Sequence, residues 1–593
     1  MIPEKPLPYS DEYPTAEAYV SALLEFVTQT DLFQILCGGV HVLDFFTNSP
    51  GLFNQVLPQE WQPFLLSYDT VRLLDLLMRD DLDDLPEMDP APPESFLKYV
   101  RDIRRLSLRR SFEPSQSETK PPPKLSRSVA VGMKPKKVHE VAHFARYVDS
   151  LAGAISERWG KETTHFVDFG SGQNYLGRTL ALPPYNRHVV AVEGREHNID
   201  GAKGLDVLSG LASKEVVMRN KKLWQQMQAD KFGTEINVKK TAKPSTDAVE
   251  DFDFRPLKEL EPQYNRALGK GSVSYVVGRL ESGDLTEVIG RIEKEVLPEE
   301  AEAAKEGLKM MAVSIHSCGN LSHYGIRSLI MNPAIHSVAI VGCCYNLLTE
   351  KLGPPTYKYT YARPSLQALN GRVVRESSRY DPEGFPLSER LATYDGHGIR
   401  MNITARMMAC QAPQNWNQAE SDDFFTRHLF RAVLQKIFLD KGIISKVYHR
   451  DPDAAEGETT PETPFNMSTN PVIIGSLRKA CYKSLKDYVR GAVTKLTTNR
   501  EYGQYSAIIK EKMTDISDEE ISRYEEEYLS RKKEVAAVWS LMAFSACVVE
   551  SLIVTDRWLF LKEHDDVVRD AWVETVFDYG LSPRNMVVVG IKR

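Results

Sequence analysis

The sequence predicts an α/β protein of the doubly wound kind, built on a largely parallel sheet. Two observations carry this. From Val138 onward, short apolar runs alternate with helical stretches, the pattern of strand–helix–strand units. The first such run, at 165–169, breaks into a Gly-x-Gly turn (Gly170, Gly172) before a helix begins.

Residues 14–110 read as helical. Stretches 16–27 (AEAYVSALLEFV) and 71–78 (VRLLDLLM) carry apolar residues at three- and four-residue spacing. Pro and Asp clusters at 80–94 separate the helices, and no strand alternation appears. Residues 111–137 are rich in Pro, Ser and Lys and read as a linker. Over 101–137 eleven Lys and Arg stand against three Asp and Glu. That excess fits either a solvated tether or a phosphate-contacting arm. A helix from Val138 then leads into strands at 165–169, 188–192, 274–277, 311–315 and 337–341. A final pair is expected at 551–555 and 586–590, with Asp556-Arg557 as a turn after the first of them. Polar insertions fall near 213–270, 355–423 and 451–471. Residues 424–439 form an amphipathic helix whose apolar spacing suits core packing. The expected division is therefore a helical N-terminal unit with basic linker at 1–130 and one α/β domain with insertions at 131–593.

Composition bounds the function. Hydrophobic residues at 42% and charged residues at 26% exclude a wholly disordered chain, a collagen-like repeat and a disulfide miniprotein. The net charge of -7 excludes a globally basic nucleic-acid coat but not a local basic patch. Seven cysteines, odd in number and sparse over 593 residues, indicate a reducing compartment. No CxxC pair is present, so no four-cysteine metal site is assigned. The opening MIPEKPLPYSDEYP lacks the apolar core of a secretory signal. The longest apolar stretch, 541–554, contains Glu550 and is shorter than the roughly 20 residues of a membrane span. The expectation is a soluble protein of cytoplasm or nucleus, neither secreted nor membrane-spanning.

The sharpest motif is HFVDFGSGQNYLG, 165–177. Glycines allow a ligand to approach the backbone where a Cβ would clash. A dinucleotide fingerprint needs a third glycine three residues after the second, and Tyr175 stands there instead. This argues against a nicotinamide oxidoreductase. The spacing is GxGxxxxG, ending on Gly177, with Asp168 two residues before Gly170 and Glu193 closing the next strand. A carboxylate at that strand end can accept the hydroxyls of a ribose. Together these features are the signature of an S-adenosylmethionine site on a class I methyltransferase (Rossmann-like) sheet, with Asp168, Gly170, Ser171, Gly172 and Glu193 as cofactor residues. After the third strand, Glu281 or Asp284 is placed to accept from the adenine amino group.

Several segments together resemble the methyltransferase-like protein 25 family, which includes relatives labelled as ribosomal RNA adenine dimethylase domain-containing. They are Lys136-Lys137-x-His139-Glu140-Val141, the VDFGSGQNYLGR loop, His316-Ser-Cys318-Gly319-Asn-Leu321 and Val341-Gly-Cys343-Cys344-Tyr345-Asn-Leu-Leu348. The tail from Glu550 through Asn585 completes the match, so the resemblance covers roughly 131–593. It implies a class I fold, S-adenosylmethionine as cofactor and an RNA substrate, rRNA or tRNA. It also implies a lid in which Lys137 touches a substrate phosphate and His139 or Glu140 orients the cofactor's methionine carboxylate. Gln173 stands where the family usually has Lys, which puts one cofactor contact in doubt.

The acceptor side is more open. Adenine N6 methyltransferases resemble one another in a D/N-P-P-Y/F motif after the fourth strand. Leu182-Pro-Pro-Tyr185 precedes the second strand and lacks the acid or amide, so it is a decoy. His316, Cys318, Cys343, Cys344 and Tyr345 fall at the carboxyl ends of strands four and five, the edge where open α/β sheets bind ligands. His316 acting as a general base, with Cys and Tyr shaping the pocket, is one reading. A cysteine attacking C6 of a pyrimidine is another, though the flanking residues lack that motif's context. Buried structural thiols are a third, and a metal held by His316, Cys318 and Cys343 or Cys344 a fourth. The function expected is an S-adenosylmethionine-dependent methyltransferase acting on RNA, with the N-terminal helices binding substrate or a protein partner. A cofactor-binding scaffold without turnover and a protein methyltransferase are the alternatives.

Overall fold

The computed structural model describes residues 2–79, 81–82, 88–112, 124–214, 261–264, 269–295, 307–352, 381–448, 467–469 and 471–593. The chain divides into two compact units. One comprises Met1–Lys120, Leu280–Gly307 and Met311–Arg593, and the other Pro121–Arg279 with Leu308–Met310. This differs from a division into 1–130 and 131–593, because the N-terminal helices share one core with the C-terminal third of the chain.

The larger unit opens with helices α1 (Ala16–Gln29), α2 (Thr70–Met78) and α3 (Glu94–Leu106). Side chains cap the first two: Thr15 accepts from the Ala18 amide at 3.1 Å and Asp69 from the Arg72 amide at 2.9 Å. Arg104 of α3 donates to the Leu77 carbonyl at 2.7 Å and ties α3 to the end of α2.

The smaller unit begins with α4 (Pro135–Trp159), whose proline sits in the first turn, where a missing N–H costs no bond. Then come β1 (His165–Phe169), α5 (Tyr175–Ala181), β2 (His188–Glu193), α6 (Glu196–Ser209) and β3 (Ser272–Val277). β2 lies between β1 and β3 and is parallel to both. The register runs from His165 opposite His188 to Phe169 opposite Val192, and from His188 opposite Ser272 to Glu193 opposite Val277. Phe166, Val167, Val189 and Val190 are all buried, as strands covered on both faces require. A Cβ at Gly177 would lie 2.9 Å from Val189 Cγ1, so this glycine lets α5 pack down on β2.

The larger unit resumes with β4 (Met310–Ser317), α7 (Leu321–Met331) and β5 (Ile335–Gly342), then α8 (Gln418–Asp440) and α9 (Lys532–Glu563). It closes with β6 (Val568–Thr575) and β7 (Met586–Lys592), in the order β6-β7-β5-β4. β7 is antiparallel to both its neighbours β5 and β6. The fold is the α/β Rossmann-like class expected from the alternation.

Three expectations are corrected. Residues 551–555 lie inside α9, and the antiparallel partner of β7 is β6. An apolar run of five residues reads the same in a buried helix as in a buried strand, and only its length separates them. Asp556 and Arg557 are therefore no turn. Asp556 accepts from the Leu387 and Ser388 amides at 2.7 and 2.9 Å, and Arg557 donates to Ser322 Oγ at 2.6 Å. The expected insertion at 355–423 is packed structure over 381–423, where Phe385, Leu391, Ala405 and Met408 are buried. Of the other two insertions, most of 213–270 and 451–471 lies outside the described residues.

α9 is the core of the larger unit. Ser545 and Ser551 bond to Tyr99 Oη at 2.7 Å and the Leu108 amide at 2.9 Å. The run 518–563 holds a window long and apolar enough to cross a membrane, and 94% of that window is buried inside the protein.

Candidate cofactor and acceptor sites

The turn after β1 is built from left-handed backbone. Gly170 has φ +65°, Gly172 +55° and Asn174 +51°. Only glycine adopts such angles without cost, which accounts for the first two positions. The Gly170 and Ser171 amides donate to the Val192 carbonyl at 3.0 and 3.2 Å, and the Gly172 amide to Glu193 Oε2 at 2.9 Å. These amides face the protein, so the turn is no cradle for a pyrophosphate. The other side of the turn is open: a Cβ at Gly172 would meet nothing within 4 Å. Ser171 Oγ and Asn174 Oδ1 are buried without a hydrogen-bond partner, and Asn174 Oδ1 lies against Gly177, on the α5 side of the turn. The open side of Gly172 forms a notch.

Glu193 is buried, and its carboxylate does more than the sequence suggested. Oε1 accepts from the Arg195 amide at 3.0 Å and Asn198 Nδ2 at 3.1 Å. A carboxylate offers about four acceptor positions. With Gly172 on Oε2, three are taken and one lone pair remains for a ligand hydroxyl.

Asp168, one residue before the end of β1, is almost fully buried, at 2% exposure. Burial pushes its carboxyl up to about 8, the Lys137 ammonium pulls it down, and Glu193 pushes it further up. Lys137 itself pairs with buried Glu140 at 2.7 Å, and Lys136 reaches the same carboxylate at 3.8 Å. The structure thus brings Lys137, Glu140, Asp168, Gly172 and Glu193 into one electrostatic neighbourhood. His139 sits one residue before Glu140 on α4, its ring 4.2 Å from that of His143.

Beneath the turn lies a network the sequence reading missed. Arg178 and Asp206, both fully buried, pair at 2.7 Å. Asp206 Oδ2 accepts from Tyr264 at 2.8 Å and Tyr275 at 2.6 Å, and Tyr275 accepts from Asn174 Nδ2 at 2.9 Å. Arg178 also donates to the Gln173 carbonyl at 2.9 Å. The pair therefore holds both 173 and 174 in place. Arg178, a cation set among the buried residues Leu176–Ala181 of α5, was the available signal.

Of the two adenine candidates, Asp284 is engaged in a local turn through one of its oxygens: Oδ1 accepts from the Thr286 amide at 2.9 Å and hydroxyl at 2.6 Å. The Thr286 hydrogen bonds hold its carboxyl below the usual range. Glu281 is exposed.

Most of the eleven cations at 101–137 are engaged elsewhere. Arg101, Arg105 and Arg109 pair with Glu94, Asp102 and Asp11, and Arg110 is in the core. Lys120 lies outside the described residues. Lys124, Arg127, Lys134 and Lys136 are exposed. They flank a segment that lies on α5: a Cβ at Gly132 would be 2.8 Å from Tyr175 Oη.

On the acceptor side, the loops after β4 and β5 are zipped together. The Cys343 amide donates to the Ser317 carbonyl at 3.1 Å and the Gly319 amide to the Cys344 carbonyl at 3.2 Å. Gly319, at φ +56°, is required, since a Cβ would sit 2.4 Å from the Leu347 carbonyl. Three thiols converge: Cys318 lies 3.3 Å from Cys343 and 3.4 Å from Cys344, which are 3.6 Å apart. Hydrogen bonds from the other two thiols, with the charges of His316 and Arg584, push the Cys344 thiol down. The Cys318 and Cys344 contacts push Cys343 up. His316 is half-buried near the end of β4.

Tyr345 does not line a pocket. It is 2% exposed, and its hydroxyl donates to Glu550 Oε1 at 2.8 Å. Arg557 and Arg584 stand 5.5 and 5.7 Å from its ring centroid. Glu550 Oε2 also accepts from Arg110 and Arg584. Against the upward push of burial, these two guanidiniums hold Glu550 below the usual carboxylate range.

Residues 136–351 match the family model described as a methyltransferase domain. The chain is 24% identical to the human protein named probable methyltransferase-like protein 25, over 681 aligned residues that take in 99% of both chains. The mouse protein of that name is 25% identical over 533 residues, 78% of this chain and 75% of its own. The likeness read from the four motifs is therefore the likeness these comparisons find.

Proposed function

We propose, for a chain that carries a methyltransferase domain, transfer of a methyl group from S-adenosylmethionine to RNA. The observation that supports the cofactor is the notch at the glycine turn, with the open space at Gly172 and the one acceptor position left on Glu193. These residues fit a ligand that brings hydroxyl and amino donors. Glu193 would take one ribose hydroxyl, and Asp168, once ionised, would face the cofactor's amino group. When bound, S-adenosylmethionine supplies a methyl group made electrophilic by its sulfonium.

The chain's own part is to place the acceptor in line with that methyl carbon and to take its proton. His316 is the residue we assign to the proton. Tyr345 leaves the catalytic set, because its hydroxyl is committed to Glu550. RNA as acceptor is supported by the exposed cations Lys124, Arg127, Lys134 and Lys136. Glu140 stays in this reading as the ion-pair partner of Lys137, with His139 one residue before it on α4.

Calorimetric titration of the full chain with S-adenosylmethionine tests the cofactor. Absence of binding by the wild type would sink it. Mass spectrometry of nucleosides and peptides from a deletion strain tests the acceptor. Unchanged rRNA and tRNA nucleosides beside lost peptide methylation would move the substrate from RNA to protein.

A further inference from the structure

The thiol cluster after β4 and β5 brings three sulfurs into contact without a disulfide. Sulfur separations of 3.3, 3.4 and 3.6 Å are far longer than the about 2.05 Å of a disulfide. They are close to the edge of a tetrahedron around a soft cation. With zinc–sulfur bonds of about 2.3 Å, that edge is about 3.8 Å. The three sulfurs also form a closed triangle, all within 4.8 Å of one another.

The backbone holds this triangle. The two loops exchange hydrogen bonds on either side of the cysteines, from Cys343 to Ser317 and from Gly319 to Cys344. Preorganised ligands of this kind are what a tight metal site needs. Thiolates select zinc over the hard cations magnesium and calcium. Cys410 lies alongside, but its sulfur is turned to the Cys343 and Arg406 carbonyls and to Asn346 Oδ1. Three protein ligands are thus present, and Cys318 is exposed. Three ligands with an open fourth position is the pattern of zinc sites that bind water or a reacting group.

We propose that Cys318, Cys343 and Cys344 bind one zinc ion through their three thiolates, with the fourth position open to water on the Cys318 side. Binding releases the thiol protons to solvent, and no redox change takes place. The assignment stands apart from the cofactor and from RNA. It changes the role of the cysteines, from nucleophiles to ligands.

The full chain, purified under reducing conditions and stripped with a chelator, is titrated with zinc ions and separately with cobalt ions. The wild type should take up one equivalent and, with cobalt, show a thiolate-to-metal charge-transfer band. Cys318→Ser and Cys344→Ser should lose at least tenfold in affinity, while Cys481→Ser keeps it. Should the serine variants melt early, a chromophoric chelator competing with the wild type gives the affinity directly, and a thiol-blocking mercurial should release the ion. Three results overturn the proposal: no uptake by the wild type, uptake unchanged in Cys318→Ser and Cys344→Ser, or a disulfide between two of the three cysteines that excludes the metal.

Discussion

Glu193 Oε2 accepts the Gly172 amide at 2.9 Å, so the acid that ends β2 also holds the glycine turn that follows β1. One side chain thereby does two tasks, shaping the notch and offering one acceptor position to what enters it. Glu193→Ala should weaken S-adenosylmethionine by about 10- to 100-fold, the range for losing a charged hydrogen bond of about 1.5–3 kcal/mol. Glu193→Gln, which keeps one carbonyl oxygen, should lose less. Calorimetry reads both.

Asp168 makes stability depend on pH. Its carboxyl is pushed up to about 8 in the folded chain, against about 3.9 when unfolded. Between those values the folded state holds a proton that the unfolded state releases. Stability should therefore fall as pH rises from about 4 to about 8. Asp168→Asn should flatten that slope, and thermal melts from pH 5 to 8 measure the difference. Cofactor affinity should run the other way, increasing toward pH 8 as the carboxylate forms.

The Arg178–Asp206 pair is buried at 0% exposure on both sides. Asp206→Asn leaves a guanidinium without its charge partner and should cost about 3–5 kcal/mol by urea unfolding. Arg178→Met with Asp206→Leu should recover much of this, since replacing both charges avoids the orphaned one.

If the exposed cations Lys124, Arg127, Lys134 and Lys136 all contact single-stranded RNA, the log–log dependence of affinity on salt should have a slope of about −3. Replacing Lys124 and Arg127 with Ser should lower its magnitude by about 1.4. Filter binding at several salt concentrations measures it, and an unchanged slope would remove this segment from the interface.

The glycine turn was legible because it is local. Positive φ at Gly170 and Gly172 and the close approach at Gly177 are demands on single positions, and they leave a trace in residue type. The thiols were legible as strand ends; that Cys318 closes a triangle with Cys343 and Cys344, 25 and 26 residues on, depends on how two loops are zipped. Tyr345 beside Cys344 looked like a pocket residue because nothing in its neighbourhood announces Glu550, 205 residues away. Asp206 was silent for a similar reason, since its tyrosines lie 58 and 69 residues on.

The long helix α9 has a practical consequence. Tyr99 and Leu108 cover Ser545 and Ser551 on its surface. A fragment starting at residue 131 would strip that cover and present water with a helix as greasy as a membrane span. That fragment should then clump rather than fold, so the first hundred residues behave as an inbuilt solubiliser, not as an accessory to be trimmed away.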